Sequence, residues 1–475
     1  MSYLDKHVGL YTDQYELTMA QAHFLQGRQE IEAIFDYFFR RTPFDGSYTV
    51  FAGLQDVLET LEKFRYDETD LRYLQSTGFH PDFLDYLSNF RFSGEVYAPP
   101  EGSLVFAGEP VVRVEGPIIE TQVIETLVLN ILNFQSLIAT KAARLRLAAG
   151  TDRKVIDFGL RRAQGLGGIH ASRAAVIGGL QSTSNVYAGR LFDIPASGTQ
   201  AHAWIQSYDD EYRSFADFAE VFPKKCILLV DTYDTLKSGV PNAIAVAKEM
   251  ESKGRKLFGI RLDSGDHVHF SKKAREMLDD AGLDYVKIVA SNELDEHVIE
   301  DILARGAPID GFGVGTNLVT GRDDAALDGV YKLCKSGGKP RLKLSENEAK
   351  IINPDRKNVI RYYKDQQLYG DGICLQSEDP ENIVTLYNSD NDDFDVGGLD
   401  REVVLGKVMD DGVSRVGRRS IDDIADHVRK GLAALPERFK VLRQGPDFPV
   451  GVSKSLMELR SRLIEEAKNK YKQSQ

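Results

Sequence analysis

The chain is 475 residues long, carries a formal net charge of −13 and contains three cysteines. A negative charge of this size excludes a nucleic-acid surface as the main function, because the phosphate backbone would be repelled, and the length predicts two or three packed units. The few, widely spaced cysteines, the absence of an N-terminal signal pattern and the lack of a long uninterrupted apolar stretch predict a cytoplasmic protein that does not contact a membrane.

The N-terminal part of the chain mixes helical and strand patterns, which predicts an α+β domain over residues 1–125. Asp13 is a typical capping residue, and the apolar pattern after it predicts a helix that stops at Gly27. A strand is predicted over 34–38, and residues 94–114 read as a turn-rich β segment before helix resumes at about residue 120.

The middle of the chain alternates short apolar runs with amphipathic helical patterns. Strands are predicted over 155–158, 227–231, 257–263, 285–289 and 309–314, and helices over 241–252, 271–281 and 294–305. The later strands recur at the length of one βα unit. We therefore predict an α/β fold with an irregular (β/α) barrel over residues 126–345.

The pattern becomes loop-rich beyond Lys343, and a last amphipathic helix is predicted over 453–467. We predict a C-terminal extension over 346–475 that packs on the N-terminal domain.

Polar residues and glycines follow every predicted strand of the repeat. Ligands bind at the carboxyl ends of strands in parallel α/β folds, so this pattern predicts one shared site. Arg161 belongs to an arginine pair suited to phosphate or pyrophosphate, although a surface ion-pair network would use the same residues. Arg261 and Asp263 alternate onto one side of a strand end, which would place a cation for phosphate beside a carboxylate for ribose hydroxyls or Mg²⁺. The glycine-rich run 311–321 has backbone amides that can hold a phosphate monoester.

His202 lies in a small, hydroxyl-rich segment and has no metal-ligand partner nearby in sequence. Such a histidine can carry a phosphoryl group taken from ATP, although a single histidine before an aromatic residue more often has a packing role. The sequence has no Walker P-loop, and the run from Gly313 lacks the third glycine of a dinucleotide-binding motif, so ATP would need another kind of site. His267 and His269 have no third ligand nearby, and no metal site made by a side-chain cluster is predicted.

Several ordered motifs, spread over most of the chain, together resemble the nicotinate phosphoribosyltransferase family. They lie at 11–19, 157–163, 197–202, 229–235, 261–266, 313–320 and 329–333. The resemblance implies an enzyme that joins nicotinate to 5-phosphoribosyl 1-pyrophosphate, giving nicotinate mononucleotide and pyrophosphate in the first step of NAD salvage from nicotinate. It also implies ATP as co-substrate, coupled through phosphorylation of His202, and Mg²⁺ bound through the substrate phosphates.

The same resemblance implies roles for individual residues. The nicotinate ring would lie between Phe158 and Tyr15 of the partner subunit, in a homodimer with shared active sites. The catalytic residues would be His202, Asp263 and Arg261, and nicotinate would further contact Ser184 and Thr199. The residues that match the binding site for 5-phosphoribosyl 1-pyrophosphate are Arg161, Asp231, Asp263, Gly265, Gly315 and Thr316.

The choice of nicotinate over nicotinamide depends on Ser184, which matches the position of an aspartate in the related nicotinamide enzymes. A neutral serine tolerates a carboxylate that an aspartate would repel.

A nicotinamide or quinolinate phosphoribosyltransferase remains the nearest alternative. A phosphosugar aldolase or isomerase would share the phosphate-binding glycines but would need a Schiff-base lysine or general-base glutamate at a strand end. A sensor of nicotinate or its nucleotide would bind without turnover.

Overall fold

The computed structural model describes residues 6–344, 352–388 and 393–472. The chain divides into two compact units, which we call the discontinuous unit, Met1–Leu137 with Ala326–Gln475, and the central unit, Ile138–Ala325. The domain boundaries expected at 125/126 and 345/346 stay predictions, and the second of them falls in 345–351, outside the described residues.

The secondary structure is mixed throughout both units. In chain order the helices are α1 Gln14–Leu25, α2 Leu54–Leu61, α3 Glu68–Ser76, α4 Pro81–Ser88, α5 Ile118–Val123, α6 Glu125–Ala149, α7 Gly167–Ile177, α8 Val186–Phe192, α9 His202–Gln206, α10 Glu211–Val221, α11 Val240–Ser252, α12 His267–Asp280, α13 Glu296–Ala304, α14 Thr316–Val319, α15 Ile421–Ala434 and α16 Lys454–Lys472. The strands are β1 Glu32–Phe39, β2 Thr49–Val50, β3 Glu95–Ala98, β4 Leu104–Val105, β5 Val112–Pro117, β6 Lys154–Asp157, β7 Ser182–Thr183, β8 Ile227–Leu229, β9 Gly259–Leu262, β10 Lys287–Ser291, β11 Gly311–Val314, β12 Gly329–Ser336, β13 Lys339–Pro340, β14 Lys357–Lys364, β15 Gln367–Leu375, β16 Thr385–Leu386, β17 Phe394–Asp395, β18 Asp400–Val403, β19 Gly406–Asp410, β20 Val413–Ser414 and β21 Val450–Val452.

The discontinuous unit is built on a seven-stranded sheet in the order β13-β12-β1-β5-β3-β19-β20. Its strand pairs are antiparallel, and β1 pairs with β12 on one side and β5 on the other. Residues from both ends of the chain therefore complete one sheet. The N-terminal helix is confirmed as α1, and the strand predicted over 34–38 is confirmed as part of β1.

The core of this unit is rich in aromatic side chains. Phe83 lies 5.8 Å from Phe24 and 6.2 Å from Tyr86 between ring centroids, and Phe90 continues the cluster toward Phe64. The α3 helix begins with a capping box, in which Asp67 and Asp70 each accept a hydrogen bond from the other's backbone N–H. Aromatic rings bury large areas, so this cluster anchors the short helices α3 and α4.

The loop-rich expectation beyond Lys343 is wrong over the described residues. A four-stranded sheet in the order β18-β14-β15-β21 follows, and β14 and β15 form a long antiparallel hairpin. The hairpin turns at Asp365 and Gln366, which both adopt positive φ. Gly370 and Gly372, two glycines that contribute to the loop-rich pattern beyond Lys343, both lie inside β15, where rings or side chains pack closely against them. The predicted terminal helix is confirmed as α16.

The central unit contains a six-stranded parallel sheet in the order β7-β6-β11-β10-β9-β8. Numbered by their place in the chain, these strands run 2-1-6-5-4-3, so the first and last strands are neighbours, as in a closed (β/α) barrel. Within the described residues, β7 and β8 stand at the two ends of the order. The predicted irregular (β/α) barrel is therefore confirmed. The β11 strand is buried along its whole length, as expected for a parallel strand covered on both faces.

Two local features of this unit differ from what the sequence predicts. The helix predicted over 271–281 begins at His267, because Asp266 caps it by accepting hydrogen bonds from the backbone N–H groups of Val268 and His269. The two-residue strand β7, Ser182–Thr183, was not predicted, since a run this short has no detectable periodicity.

The helical segment Ile118–Ala149 is long and apolar enough to cross a bilayer by length and composition alone. Its most apolar window is 61% buried inside the protein. This burial is typical of the core helix of a globular protein.

Candidate active site

Five of the predicted site residues lie at the carboxyl ends of neighbouring parallel strands. Arg261 belongs to β9. Each of the other four lies one or two residues after the end of a strand: Asp231 after β8, Asp263 after β9, Phe158 after β6 and Gly315 after β11. All four are parallel strands of one sheet, in which β8 pairs with β9, β6 pairs with β11 and β10 lies between the two pairs, so their carboxyl ends lie at one edge. The structure thus places these residues at one edge, and the prediction that they form one shared binding site stays a prediction.

His202 begins the short helix α9 and faces two oxygen atoms from strand ends. Its Nδ1 lies 3.0 Å from the hydroxyl oxygen of Thr232, and its Nε2 lies 3.6 Å from the Asp263 carboxylate. The side chains of His202 and Asp263 are 38% and 30% exposed, so a ligand has access to both. Both ring nitrogens thus have an oxygen neighbour that fixes the orientation of the imidazole.

Two carboxylates are tied to the turn after β9. Asp231 Oδ2 accepts hydrogen bonds from the Asp263 backbone N–H at 3.0 Å and from the Ser264 hydroxyl at 2.6 Å. The Ser291 hydroxyl donates to Asp263 Oδ1. The second oxygen of Asp231 is buried and has no hydrogen-bond partner within the described residues. The turn is therefore held rigid while one carboxylate oxygen stays available.

Arg261 joins this group to the segment before His202. Its guanidinium donates to the Thr199 hydroxyl at 2.5 Å, and its central carbon lies 6.0 Å from the centroid of the Phe158 ring. Burial lowers the pKa of Arg261, and nearby Asp263 and Asp231 act in the opposite direction. Arginine stays charged in proteins, so Arg261 supplies a fixed, partly desolvated cation.

The end of β6 is fixed by a network around Asp157. Its carboxylate accepts from the Gly159 backbone N–H and from the Ser172 and Thr183 hydroxyls, each at 2.7 Å. The Ser184 backbone N–H donates to the Asp157 carbonyl at 2.8 Å, which brings Ser184 to this edge. Buried carboxylates need such a set of donors, and this one orients the chain that bears Phe158.

The Phe158 ring lies against Gly313 in β11. A Cβ atom at Gly313 would stand 2.2 Å from the ring, so no larger residue fits there without moving Phe158. The need for glycine here is steric and concerns the ring, whereas the sequence reading treated the run as phosphate-binding backbone.

The remaining predicted donor-binding residues are less connected. Arg161 is exposed and donates to the Phe158 carbonyl at 3.5 Å, and Gly315 precedes Thr316, the first residue of α14. Gly265 has a φ of 76° and lies against the Phe270 ring. Within the described ranges, Gly265 and Thr316 make no hydrogen bond to the other predicted site residues, so their roles stay predictions.

Tyr15 belongs to α1 in the discontinuous unit and is 50% exposed. Partial burial of its hydroxyl and the nearby carboxylates of Glu125 and Glu16 raise its pKa. Its predicted role as a partner's contribution to the site stays a prediction.

One group of potential metal ligands occurs within the described residues, and it lies far along the chain from the strand ends. His7, Asp67 and Asp70 bring one ligand atom each to within 4.8 Å of one another. The two aspartates already form the capping box of α3, and His7 Nδ1 lies 2.5 Å from Asp70, so the group joins the N-terminal segment to that helix.

Sequence reasoning did not assign roles to Thr232, Ser291 or Asp157. Thr232 and Ser291 orient His202 and Asp263, and Asp157 holds the Phe158 turn. All three lie at strand ends, which was the available signal, but their contacts depend on which strands are neighbours in the sheet.

The edge combines a fixed cation, carboxylates, hydroxyls and an aromatic ring at the ligand-binding end of a parallel α/β barrel. A cation beside an aromatic ring, with carboxylates and hydroxyls around them, is an arrangement typical of enzyme sites that bind a small anionic ligand with a flat ring.

Comparison with known proteins finds similarity to one family along nearly the whole chain. Family models match the chain at residues 10–133, the nicotinate phosphoribosyltransferase N-terminal domain, at 153–367, the nicotinate phosphoribosyltransferase family, and at 356–460, the C-terminal domain. A nicotinate phosphoribosyltransferase of Bacillus subtilis is 42% identical over 99% of this chain and 98% of its own length. One of Mus musculus is 32% identical over 95% of each. The crystal structure of human nicotinic acid phosphoribosyltransferase superposes with a TM-score of 0.85 at 30% identity, covering 95% of this chain and 99% of that one. The chain therefore belongs to the nicotinate phosphoribosyltransferase family.

Proposed function

We propose that this protein transfers the phosphoribosyl group of 5-phosphoribosyl 1-pyrophosphate to nicotinate, with ATP hydrolysis coupled through phosphorylation of His202. The observation that carries the proposal is the convergence of His202, Asp263, Arg261 and Thr199 at one edge of the barrel. The product, nicotinate mononucleotide, is a precursor in pyridine nucleotide biosynthesis, and the step belongs to NAD salvage.

The transfer itself needs positioning and charge stabilisation more than proton transfer. The pyridine nitrogen of nicotinate attacks the anomeric carbon of the ribose, the bond from that carbon to the pyrophosphate oxygen breaks, and pyrophosphate leaves with the electron pair. No general base is required, because the ring nitrogen already carries a lone pair. Arg261 and Thr199 would hold the nicotinate carboxylate, Phe158 would pack on the ring, and Asp263 would bind ribose hydroxyls.

The charge on the leaving group calls for Mg²⁺, and one residue here suits it. The unpartnered buried oxygen of Asp231 is the hard oxygen ligand that this ion prefers, beside the phosphates of the donor. Bound there, Mg²⁺ would neutralise charge on the departing pyrophosphate. Arg161 would donate hydrogen bonds to the phosphates, and Gly265, Gly315 and Thr316 would complete the binding site for the donor.

The ATP-coupled part of the proposal assigns His202 a covalent role. A ring nitrogen of His202 would attack the γ-phosphorus of ATP, releasing ADP, and water would later hydrolyse the phosphohistidine to inorganic phosphate. The added negative charge beside Asp263 and Asp231 would change the affinity of the site for the pyrophosphate donor. ATP energy would then be used through the difference in affinity between the two states of His202.

The primary test compares product formation with and without ATP. Purified protein would be incubated with nicotinate, 5-phosphoribosyl 1-pyrophosphate and Mg²⁺, and nicotinate mononucleotide followed. We expect His202→Ala to abolish the stimulation by ATP, whereas His23→Ala, a histidine near the end of α1, should behave as wild type. Absence of product under every condition would refute the proposal. Parallel assays with nicotinamide and quinolinate test the alternative substrates, and Ser184, whose side chain is neutral, favours nicotinate.

The homodimeric part of the proposal is tested by mixing two variants that are each impaired in ATP-stimulated activity at a nicotinate concentration well below KM. Half-exposed Tyr15 would complete the partner's site, so a dimer of one Tyr15→Ala and one His202→Ala chain holds one intact site. Random pairing in an equal mixture then makes about a quarter of all sites intact, so the activity should exceed the mean of the two variants assayed alone. No recovery in a mixture shown to exchange subunits would refute a shared site.

A cytoplasmic location is the last part of the proposal. It is supported by Cys226, Cys334 and Cys374, which are all free and buried.

A further inference from the structure

The residue after Tyr15 is a carboxylic acid in an unusual place. The side chain of Glu16 has no exposed surface, and neither of its carboxyl oxygens has a hydrogen-bond partner of regular geometry within the described residues. The Gln122 side chain donates to the backbone carbonyl of Glu16 at 3.3 Å. A buried ionised carboxylate without donors is strongly disfavoured, whereas a protonated one is tolerated.

The groups around Glu16 reinforce that preference. Four titratable groups interact electrostatically with Glu16: Asp13 and Tyr15 at the same end of α1, Glu125 on α6 and Tyr331 on β12. Burial and the charge of Glu125 raise the pKa of Glu16 to about 7, and interactions with Gln122 and Tyr15 offset only part of the rise. None of the groups that shift the pKa of Glu16 is a cation, and Lys332 lowers the pKa of Glu125 instead.

We propose that Glu16, in its protonated form, is a positioning residue for Tyr15. The neutral acid packs inside the discontinuous unit and contacts the Tyr15 side chain. Ionisation at higher pH would require water or donors that this enclosed position does not offer, so the first turn of α1 must move, and Tyr15 moves with it. The inference rests on the proposed function only in so far as Tyr15 contacts nicotinate.

The consequence for catalysis is a pH-dependent affinity for nicotinate. Loss of an aromatic contact predicts that the KM for nicotinate rises about three- to tenfold between about pH 6 and about pH 8.5, while kcat changes less. Glu16→Gln keeps the shape of the side chain and cannot ionise. This variant should keep the low KM across the whole range.

The kinetic test compares three proteins at both pH values. Effects of pH on the pyrophosphate donor and on the rest of the protein are common to all three, so only differences between proteins count. Glu120→Gln is the matched control, because the pKa of Glu120 is also raised by burial although its carboxylate bonds to Ser93. Glu120→Gln should follow the wild-type profile. A Glu16→Gln profile that equals the wild-type one overturns the inference, and Glu16→Met serves if the glutamine variant does not fold.

A second readout follows Tyr15 without using activity. Hydroxyl-radical footprinting with mass spectrometry would measure the modification of Tyr15 relative to Tyr187, another exposed tyrosine. We expect the ratio to change severalfold between the two pH values in wild type and to stay constant in Glu16→Gln. Equal ratios in both proteins overturn the inference. A changed ratio in a protein that forms no product would instead support the link between Glu16 and Tyr15 and refute the proposed function.

Discussion

Replacing Glu16 with glutamine also measures the energetic cost of the buried carboxyl. The folded protein holds the Glu16 proton up to about pH 7, whereas a glutamate in the unfolded chain releases it near its ordinary pKa of 4.5. Because folding raises the pKa of Glu16, the unfolded chain ionises at a lower pH than the folded protein, and this ionisation stabilises the unfolded state. Stability is therefore highest below the unfolded pKa, falls as the pH rises from 4.5 to about 7, and is constant above that.

The size of the effect follows from the difference between the two pKa values. Linkage predicts that ionisation of the unfolded chain costs about 1 kcal/mol of stability at about pH 5 and about 3 kcal/mol at about pH 8. Glu16→Gln does not titrate at this position. Its stability relative to wild type should therefore increase by about 2–3 kcal/mol between these two pH values.

The assay is urea unfolding of both proteins at both pH values, followed by circular dichroism. Taking the difference between variant and wild type cancels the titration of all other groups. Trp204 is the single tryptophan and lies in the central unit, so its fluorescence reports the unfolding of that unit separately. A difference in stability that stays within about 0.5 kcal/mol at the two pH values would refute the reasoning, since it would mean that Glu16 ionises alike in both states.

Three further substitutions probe the central unit. Thr232→Val removes the hydroxyl at Nδ1 of His202, and we expect the stimulation by ATP to fall about two- to tenfold, as for loss of one hydrogen bond. Gly313→Ala places a methyl group against the Phe158 ring, and overpacking of about 1–3 kcal/mol should raise the KM for nicotinate about tenfold. Glu296→Ala removes the buried carboxylate that pairs with both Lys141 and Arg144, and thermal unfolding should reveal a loss of about 3–5 kcal/mol.

Each of these changes has a control in the same chain. Ser238→Ala removes a hydroxyl that donates to a backbone carbonyl in an exposed turn, and ATP stimulation should not change. Gly417→Ala adds a methyl group to open space, and the KM should not change. Glu276→Ala breaks an exposed pair with Lys273, and stability should change by less than about 1 kcal/mol. Equal effects in a variant and its control would contradict the corresponding prediction.

The hydrophobic periodicity of the sequence predicted those helices and strands that are long or that recur at a regular spacing. The α1 helix follows Asp13 and ends before Gly27, and the βα repeats of the central unit have regular spacing, so their existence and order followed from local sequence signals, although the Asp13 side chain makes no capping hydrogen bond. The β14–β15 hairpin was missed because the glycines that suggested loops are interior strand residues, made necessary by close packing of Phe394, Leu386 and Tyr362.

The sequence by itself determined the identity of the family and the residue types at the strand ends, since each motif is contiguous and carries its own chemistry. Only the tertiary structure decided which of them meet. The contacts of His202 with Thr232, of Arg261 with Thr199 and of Phe158 with Gly313 join residues from different strands or loops, and sheet order sets those neighbours. The state of Glu16 is likewise invisible in sequence, because the free energy of a carboxyl depends on the solvent and donors around it and not on its place in the chain.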